Sequence, residues 1–174
     1  MFVTFPRSGI NYFSDYFEQM TSMMLLRTHD YKKIPNFVYF SIARDPVETI
    51  TSDVAMIMEH NNFDIDEIIS DSSKKYLKFY KDIMNEKIDY IFKYEDLVLK
   101  TNKVVMFFIE YTKIEYENIE YRSSLKDGKQ SKEYLVSSKK SDLYNQILQK
   151  VRLLNLEDHY KEYEIAITNS VVIE

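Results

Sequence analysis

The stretch NFVYFSIARDPVETI, residues 36–50, joins a buried strand to the start of a helix. Residues 36–43 form an apolar run, which is typical of a strand covered on both faces of a parallel sheet. Pro46 follows at a position where its fixed φ angle and missing N–H suit the first turn of a helix. Residues 47–60 continue that helix. The stretch therefore predicts one strand-to-helix unit of an α/β fold.

The same alternation of strands and helices extends along the chain in both directions. Apolar runs predict strands at residues 1–5 and 89–94, and helical spacing predicts helices at residues 11–24, 72–86, 102–111 and 142–153. Residues 166–174 fit either a strand or a tail, and residues 123–142 predict a long loop. We expect a single α/β domain over residues 1–174, in which helices flank a central parallel sheet to form three layers.

Composition narrows the class of protein. The 174 residues are enough for about one domain, and 45% hydrophobic with 15% aromatic residues indicates a globular chain. No apolar run approaches the roughly 18 residues of a membrane span and no signal peptide is recognisable, so we expect a cytoplasmic protein without a membrane partner. The absence of Cys excludes disulfides, thiolate zinc sites and a cysteine nucleophile. The net charge of -5 argues against nucleic acid as a partner, but one local positive site is sufficient for a small anion.

A second strand-to-helix junction, FVTFPRSGINYF at residues 2–13, contains Pro6-Arg7-Ser8-Gly9. The first turn of a helix presents N–H groups without internal partners and the positive end of the helix dipole, so it attracts an anion. Gly9 would let the backbone approach that anion, and Arg7 would add a permanent charge. Phosphate binding is therefore the functional hypothesis, and a plain turn with a helix cap is the alternative. The ATP and GTP loop pattern G-x-x-x-x-G-K-[ST] is absent.

Two segments resemble the cofactor-binding segments of sulfotransferases that use 3'-phosphoadenosine 5'-phosphosulfate (PAPS). FPRSGINYF, residues 5–13, resembles their 5'-phosphosulfate loop, whose pattern is close to Tyr-Pro-Lys/Arg-Ser-Gly-Thr-Thr-Trp. IARDPVETITS, residues 42–52, resembles their 3'-phosphate segment, in which an Arg at a strand end is followed eight residues later by a helical Ser. Arg44 and Ser52 keep that spacing.

Two further segments follow the order of the same family. LLRTHDYKKIP, residues 25–35, is similar to its Lys-Thr-His-Leu-Pro segment, and His29 takes the position of the catalytic base. FKYEDLVLKT, residues 92–101, is similar to its Tyr-Glu-Asp-Leu segment. The resemblance covers residues 2–99 and is looser beyond them, where LKDGKQSK, residues 125–132, is the best counterpart of a late Arg-Lys-Gly segment.

The resemblance implies a P-loop-like sulfotransferase fold and transfer of a sulfuryl group from PAPS to a hydroxyl or amine acceptor of unknown identity. The products would include adenosine 3',5'-bisphosphate (PAP), and no metal would be required. Arg7 would neutralise the leaving oxygen and His29 would take the acceptor's proton. By the same resemblance, the remaining contacts to PAPS would come from Ser8, Gly9, Ile10, Asn11 and Tyr12 at the 5'-phosphate, Arg44 and Ser52 at the 3'-phosphate, Tyr94 near the adenine, and Lys126, Gly128 and Lys129.

The departures from the family pattern keep other interpretations open. Ile10 and Asn11 replace two Thr residues, which motivates a degenerate nucleotide-binding protein without turnover as the alternative function. A nucleotide-dependent kinase is a further alternative and would need Mg²⁺ with a carboxylate to hold it. The chain is shorter than most members, so its substrate pocket would be open or completed in a homodimer. Structural interpretations of Arg44 as an ordinary strand-end charge, Tyr94 as a core residue and His29 as a surface residue also remain, while His60 and His159 are predicted to be solvated.

Overall fold

The computed structural model describes residues 1–6, 13–14, 16–18, 26–28, 38–61, 63–86, 88–112 and 142–174. Within these ranges the sheet has four strands in the order β2-β1-β3-β4, and all three neighbouring pairs are parallel. The strands are β1 Phe2–Val3, β2 Arg27–Thr28, β3 Phe40–Ala43 and β4 Tyr90–Lys93. This arrangement confirms the α/β class. β1, β3 and β4 are shorter than the apolar runs that predicted them, because the ladder pairs only part of each run, and β2 was not predicted.

Six helices with assigned bounds lie within the described ranges. They are α1 Pro46–His60, α2 Ile65–Asn85, α3 Tyr94–Leu99, α4 Thr101–Thr112, α5 Asp142–Arg152 and α6 Glu157–Thr168. Residues 13–14 and 16–18 are also helical, which agrees with part of the helix predicted over 11–24. Pro46 begins α1 as expected, and the predictions for α4 and α5 are confirmed to within one residue at each end.

Two predicted boundaries are wrong. Helix α2 begins at Ile65 rather than at residue 72, because the Asp64 carboxylate caps it by accepting hydrogen bonds from the N–H groups of Asp66 at 2.8 Å and Glu67 at 3.4 Å. Residues 166–168 are neither strand nor tail but the last turn of α6. The chain then turns, and the Val171 N–H donates to the carbonyl oxygen of Ile91 in β4 at 2.8 Å.

Alternate side chains of β3 contribute to two separate apolar clusters, as the period of a strand requires. Tyr39, the residue directly before β3, and Ala43 pack with residues of α1, α2, α5 and α6. Phe40 and Ile42 pack instead with Phe13, Tyr16 and Phe17 and with α3 and α4, and the ring centroids of Phe40 and Phe108 are 4.4 Å apart. Helices therefore cover both faces of β3.

Two fully buried tyrosines of α2 hold the end of β3, and we call them the tyrosine clamp. The Tyr76 hydroxyl donates to the carbonyl oxygen of Arg44 at 2.8 Å. The Tyr80 hydroxyl donates to the carbonyl oxygen of Ile42 at 3.0 Å and accepts from the Arg44 N–H at 3.0 Å. Burial raises the pKa of Tyr80 to about 12, so the hydroxyl stays protonated and able to donate near neutral pH. The clamp satisfies backbone groups of a residue that lies between strand and helix.

The variant Tyr80→Phe tests the clamp. We expect it to lower the free energy of unfolding by about 2 kcal/mol, because the buried Arg44 N–H loses its acceptor and the Ile42 carbonyl loses a donor. Chemical denaturation followed by circular dichroism measures the change. The control variant Tyr163→Phe, which removes the hydroxyl of a half-buried tyrosine on α6, should change the stability by less than about 0.5 kcal/mol. Equal stability of Tyr80→Phe and the parent would contradict the role of the clamp.

Candidate functional site

The strand order creates a crevice at the carboxyl edge of the sheet. β1 and β3 are neighbours, but β1 leads to β2 on one side and β3 leads to β4 on the other. Connections that diverge in this way leave a gap, and ligands of open parallel sheets bind there. Phe5 and Pro6 lie just after β1, and Arg44 directly follows β3. Arg44 and the beginning of the Pro6–Gly9 pattern therefore lie at the same edge of the sheet.

Arg44 is only 4% exposed, and its guanidinium group is held from two sides. Its Nη2 lies 3.3 Å from Oε2 of Glu48, one turn into α1. Its Cζ lies 4.2 Å from the centroid of the Tyr94 ring, the geometry of a cation–π contact. The structure thus brings together two of the residues predicted for the site, Arg44 and Tyr94, although they are fifty residues apart in the chain.

Ser52, the third predicted residue that the structure describes, is half-buried on α1. It lies four residues after Glu48, so the two share one face of the helix. Glu48 is therefore placed between the two residues predicted to hold a 3'-phosphate. Sequence reasoning missed this carboxylate, and its spacing of four residues from both Arg44 and Ser52 was the signal available to find it.

The other predicted site residues lie outside the described part of the chain. They are Arg7, Ser8, Gly9, Ile10, Asn11, Tyr12, His29, Lys126, Gly128 and Lys129. The side chain of His60 is also outside it.

The prediction that His159 is solvated is wrong, because α6 packs this side chain against α2, where it is 7% exposed. Its Nε2 lies 2.9 Å from Oγ and 3.0 Å from the carbonyl oxygen of Ser73, and its ring stacks on Tyr76.

A cavity of about 1080 Å³ adjoins the Arg44 contacts. It opens between the first turns of α1 and α3 on one side and helices α5 and α6 on the other. Glu48 and Tyr94, which both contact Arg44, are part of its wall. Three further carboxylates line it, those of Asp45, Glu95 and Glu157, together with the guanidinium group of Arg152.

Three other tyrosines are among the described residues that line the cavity: Tyr144, Tyr160 and Tyr163. Burial raises the pKa of Tyr163 to about 12, with a further contribution from the Glu95 and Asp45 carboxylates. Burial and the same Asp45 carboxylate raise the pKa of Tyr160, whose hydroxyl donates to Asp45 Oδ2 at 3.4 Å. These phenols are therefore neutral near pH 7, and the carboxylates and Arg152 set the charge of the cavity.

Metal coordination and membrane insertion also bear on the class of site. Within the described ranges, no group of three or more His, Asp and Glu side chains converges in a way that would hold a metal ion. Each helix in those ranges is too short or too polar to cross a lipid bilayer. Comparisons of the chain with protein-family models, with curated proteins and with solved structures found no match.

Asp45 supports both the start of α1 and the wall of the cavity, and its substitution tests that role. Its Oδ1 accepts from the Glu48 N–H at 2.9 Å and caps the helix. We expect Asp45→Ala to lower the free energy of unfolding by about 1 kcal/mol, and Asp45→Asn to retain most of it because Asn is an equally good cap. Thermal unfolding monitored by calorimetry compares the three proteins. A loss as large in Asp45→Asn as in Asp45→Ala would show that the charge, rather than the cap, matters.

Proposed function

We propose that this protein is a PAPS-dependent sulfotransferase with the three-layer fold of that family, acting in the cytoplasm on a hydroxyl or amine acceptor. The observation that carries the proposal is the position of Arg44 at the gap between β1 and β3. In the family pattern, the strand-end Arg and the loop after the first strand bind the two ends of one cofactor. Here Arg44 and the residues that follow β1 lie at the same edge of the sheet, as that division of roles requires.

The chemistry of the proposed reaction suits the residues of the pattern. The sulfuryl group passes to the acceptor oxygen or nitrogen as its bond to the 5'-phosphate oxygen breaks, so the leaving phosphate gains negative charge. Arg7 and the N–H groups of residues 8–12 would stabilise that charge. His29 would accept the proton that the acceptor loses. Catalysis of this kind depends mainly on positioning and charge, which one domain can supply.

Glu48 imposes a condition on the proposed 3'-phosphate site. Arg44 is already paired with this carboxylate, so a 3'-phosphate must share the guanidinium group or displace Glu48 from it. A phosphate dianion is the stronger partner because it carries more charge and more acceptor oxygens. Glu48 therefore lowers the affinity for a 3'-phosphate. Its negative charge also compensates the buried positive charge of Arg44 when no phosphate is bound.

The variant Glu48→Gln tests whether a 3'-phosphate binds at Arg44. Removing the competing charge should strengthen the binding of PAP by about two- to five-fold, the range expected for a modest ion pair. Adenosine 5'-monophosphate, which has a free 3'-hydroxyl, should bind the parent and the variant equally. Isothermal titration calorimetry measures both affinities, and Glu67→Gln, which removes an exposed carboxylate from the first turn of α2, is the matched control.

The outcomes of this experiment separate the alternatives. Equal strengthening for PAP and adenosine 5'-monophosphate would place the 3'-phosphate away from Arg44. Stabilisation of the parent in a thermal shift assay by ATP with Mg²⁺, but not by PAP, would favour the nucleotide-dependent kinase, since a ligand of the native state raises the unfolding midpoint.

The variant His29→Ala distinguishes an enzyme from a binding protein. If His29 takes the acceptor's proton, the affinity for PAP should be unchanged, while sulfate transfer should fall by about a hundred- to ten-thousand-fold. The measurement uses radiolabelled PAPS with a panel of phenols, sugars, alkyl alcohols and amines. Transfer by His29→Ala at the rate of the parent would refute the assignment of the base. A parent that binds PAP and transfers to none of the panel would support the degenerate nucleotide-binding protein.

A further inference from the structure

The cavity beside Arg44 has a charge that does not suit a nucleotide phosphate. Among the described residues that line it, four carboxylates face one guanidinium group, that of Arg152. Glu95 and Glu157 are exposed residues in the first turns of α3 and α6, and the fixed charge of Arg44 is already engaged by Glu48 and Tyr94. A phosphate inside this cavity would be repelled by carboxylates within a partly enclosed space, where charge interactions are stronger than in water.

The aromatic residues of the cavity wall favour a cation over an anion. Tyr94, Tyr144, Tyr160 and Tyr163 line the cavity, and the faces of tyrosine rings carry partial negative charge that attracts cations, as the contact of Tyr94 with Arg44 illustrates. Apolar side chains, among them Leu148 and Leu156, supply the rest of the contact surface. Carboxylates, neutral phenols and apolar groups around one cavity are the chemistry that recognises an ammonium group on a hydrophobic body.

We propose that this cavity binds an organic cation, namely an amine or quaternary ammonium compound with an aromatic or aliphatic body. The ammonium group lies among the carboxylates and tyrosine rings, and the body packs on the apolar wall. The volume of about 1080 Å³ accommodates a molecule of drug size. This site shares Tyr94 with the proposed PAPS-binding residues and Glu48 borders both, but cation binding does not depend on sulfate transfer.

The first test compares small probes of similar shape and different charge. Phenethylamine is a cation near pH 7, 2-phenylethanol is its neutral counterpart and phenylacetate is an anion. Two-dimensional ¹H–¹⁵N NMR titrations of the full chain should show phenethylamine binding at least about five-fold more tightly than 2-phenylethanol, because only the cation gains the charge and cation–π interactions. Phenylacetate should bind most weakly. Equal affinities for phenethylamine and 2-phenylethanol would overturn the proposal.

The second test identifies the carboxylates that attract the cation. The double variant Glu95→Gln/Glu157→Gln removes two exposed carboxylates from the cavity, and Glu67→Gln/Glu110→Gln removes two exposed carboxylates elsewhere. Only the first double variant should weaken phenethylamine binding, by about five-fold or more, while 2-phenylethanol binding stays unchanged. Circular dichroism and the unfolding midpoint establish that both variants fold.

A nucleoside is the competing occupant, and neutral adenosine serves as its probe. If adenosine displaces phenethylamine and binds more tightly than it in the parent, the cavity is a nucleoside pocket and the proposal is refuted. Failure of the Glu48→Gln prediction for PAP would leave the cation site standing, because that experiment reports on the guanidinium group of Arg44 and not on Glu95 and Glu157.

Discussion

The hydrogen bonds of Tyr76 and Tyr80 to the end of β3 are the interaction on which the rest of the site depends. Arg44 lies after the end of β3 and before the start of α1. Its backbone groups therefore belong neither to the hydrogen bonds of the sheet nor to those of the helix. The two hydroxyl groups satisfy them inside the core, at 2.8 Å to the Arg44 carbonyl and 3.0 Å to its N–H. This arrangement fixes where the chain turns, and hence where the guanidinium group, Asp45 and the first turn of α1 lie.

Glu48 connects the two sites that we propose. It pairs with Arg44, a residue that we expect to bind a 3'-phosphate, and it lines the cavity that we expect to bind a cation. A phosphate that displaced it from Arg44 would leave its charge available to the cavity. Occupation of the two sites would then be coupled, and by linkage each ligand would change the affinity of the other by the same factor.

Local chemistry explains which parts of the fold were predictable. Pro46 at a helix start and the apolar run before it are signals contained in a few neighbouring residues, and both predictions hold. The start of α2 was missed because the prediction followed apolar spacing only within residues 72–86, although Ile65, Ile68 and Ile69 extend that spacing back to the Asp64 cap. His159 was misassigned because its burial depends on α6 packing against Ser73 and Tyr76, which are more than eighty residues away in the chain.

The sequence by itself determined the α/β alternation and the helix that starts at Pro46, because both follow from periodicity and short-range signals. The choice of Arg44, Ser52 and Tyr94 as residues to inspect came from the resemblance of their segments to a family pattern. Only the tertiary structure decided the strand order, the tyrosine clamp, the contact of Arg44 with Tyr94 and the acidic, aromatic cavity. These features join residues from distant elements. Their geometry is set by how helices pack on a sheet, which no local pattern in the chain encodes.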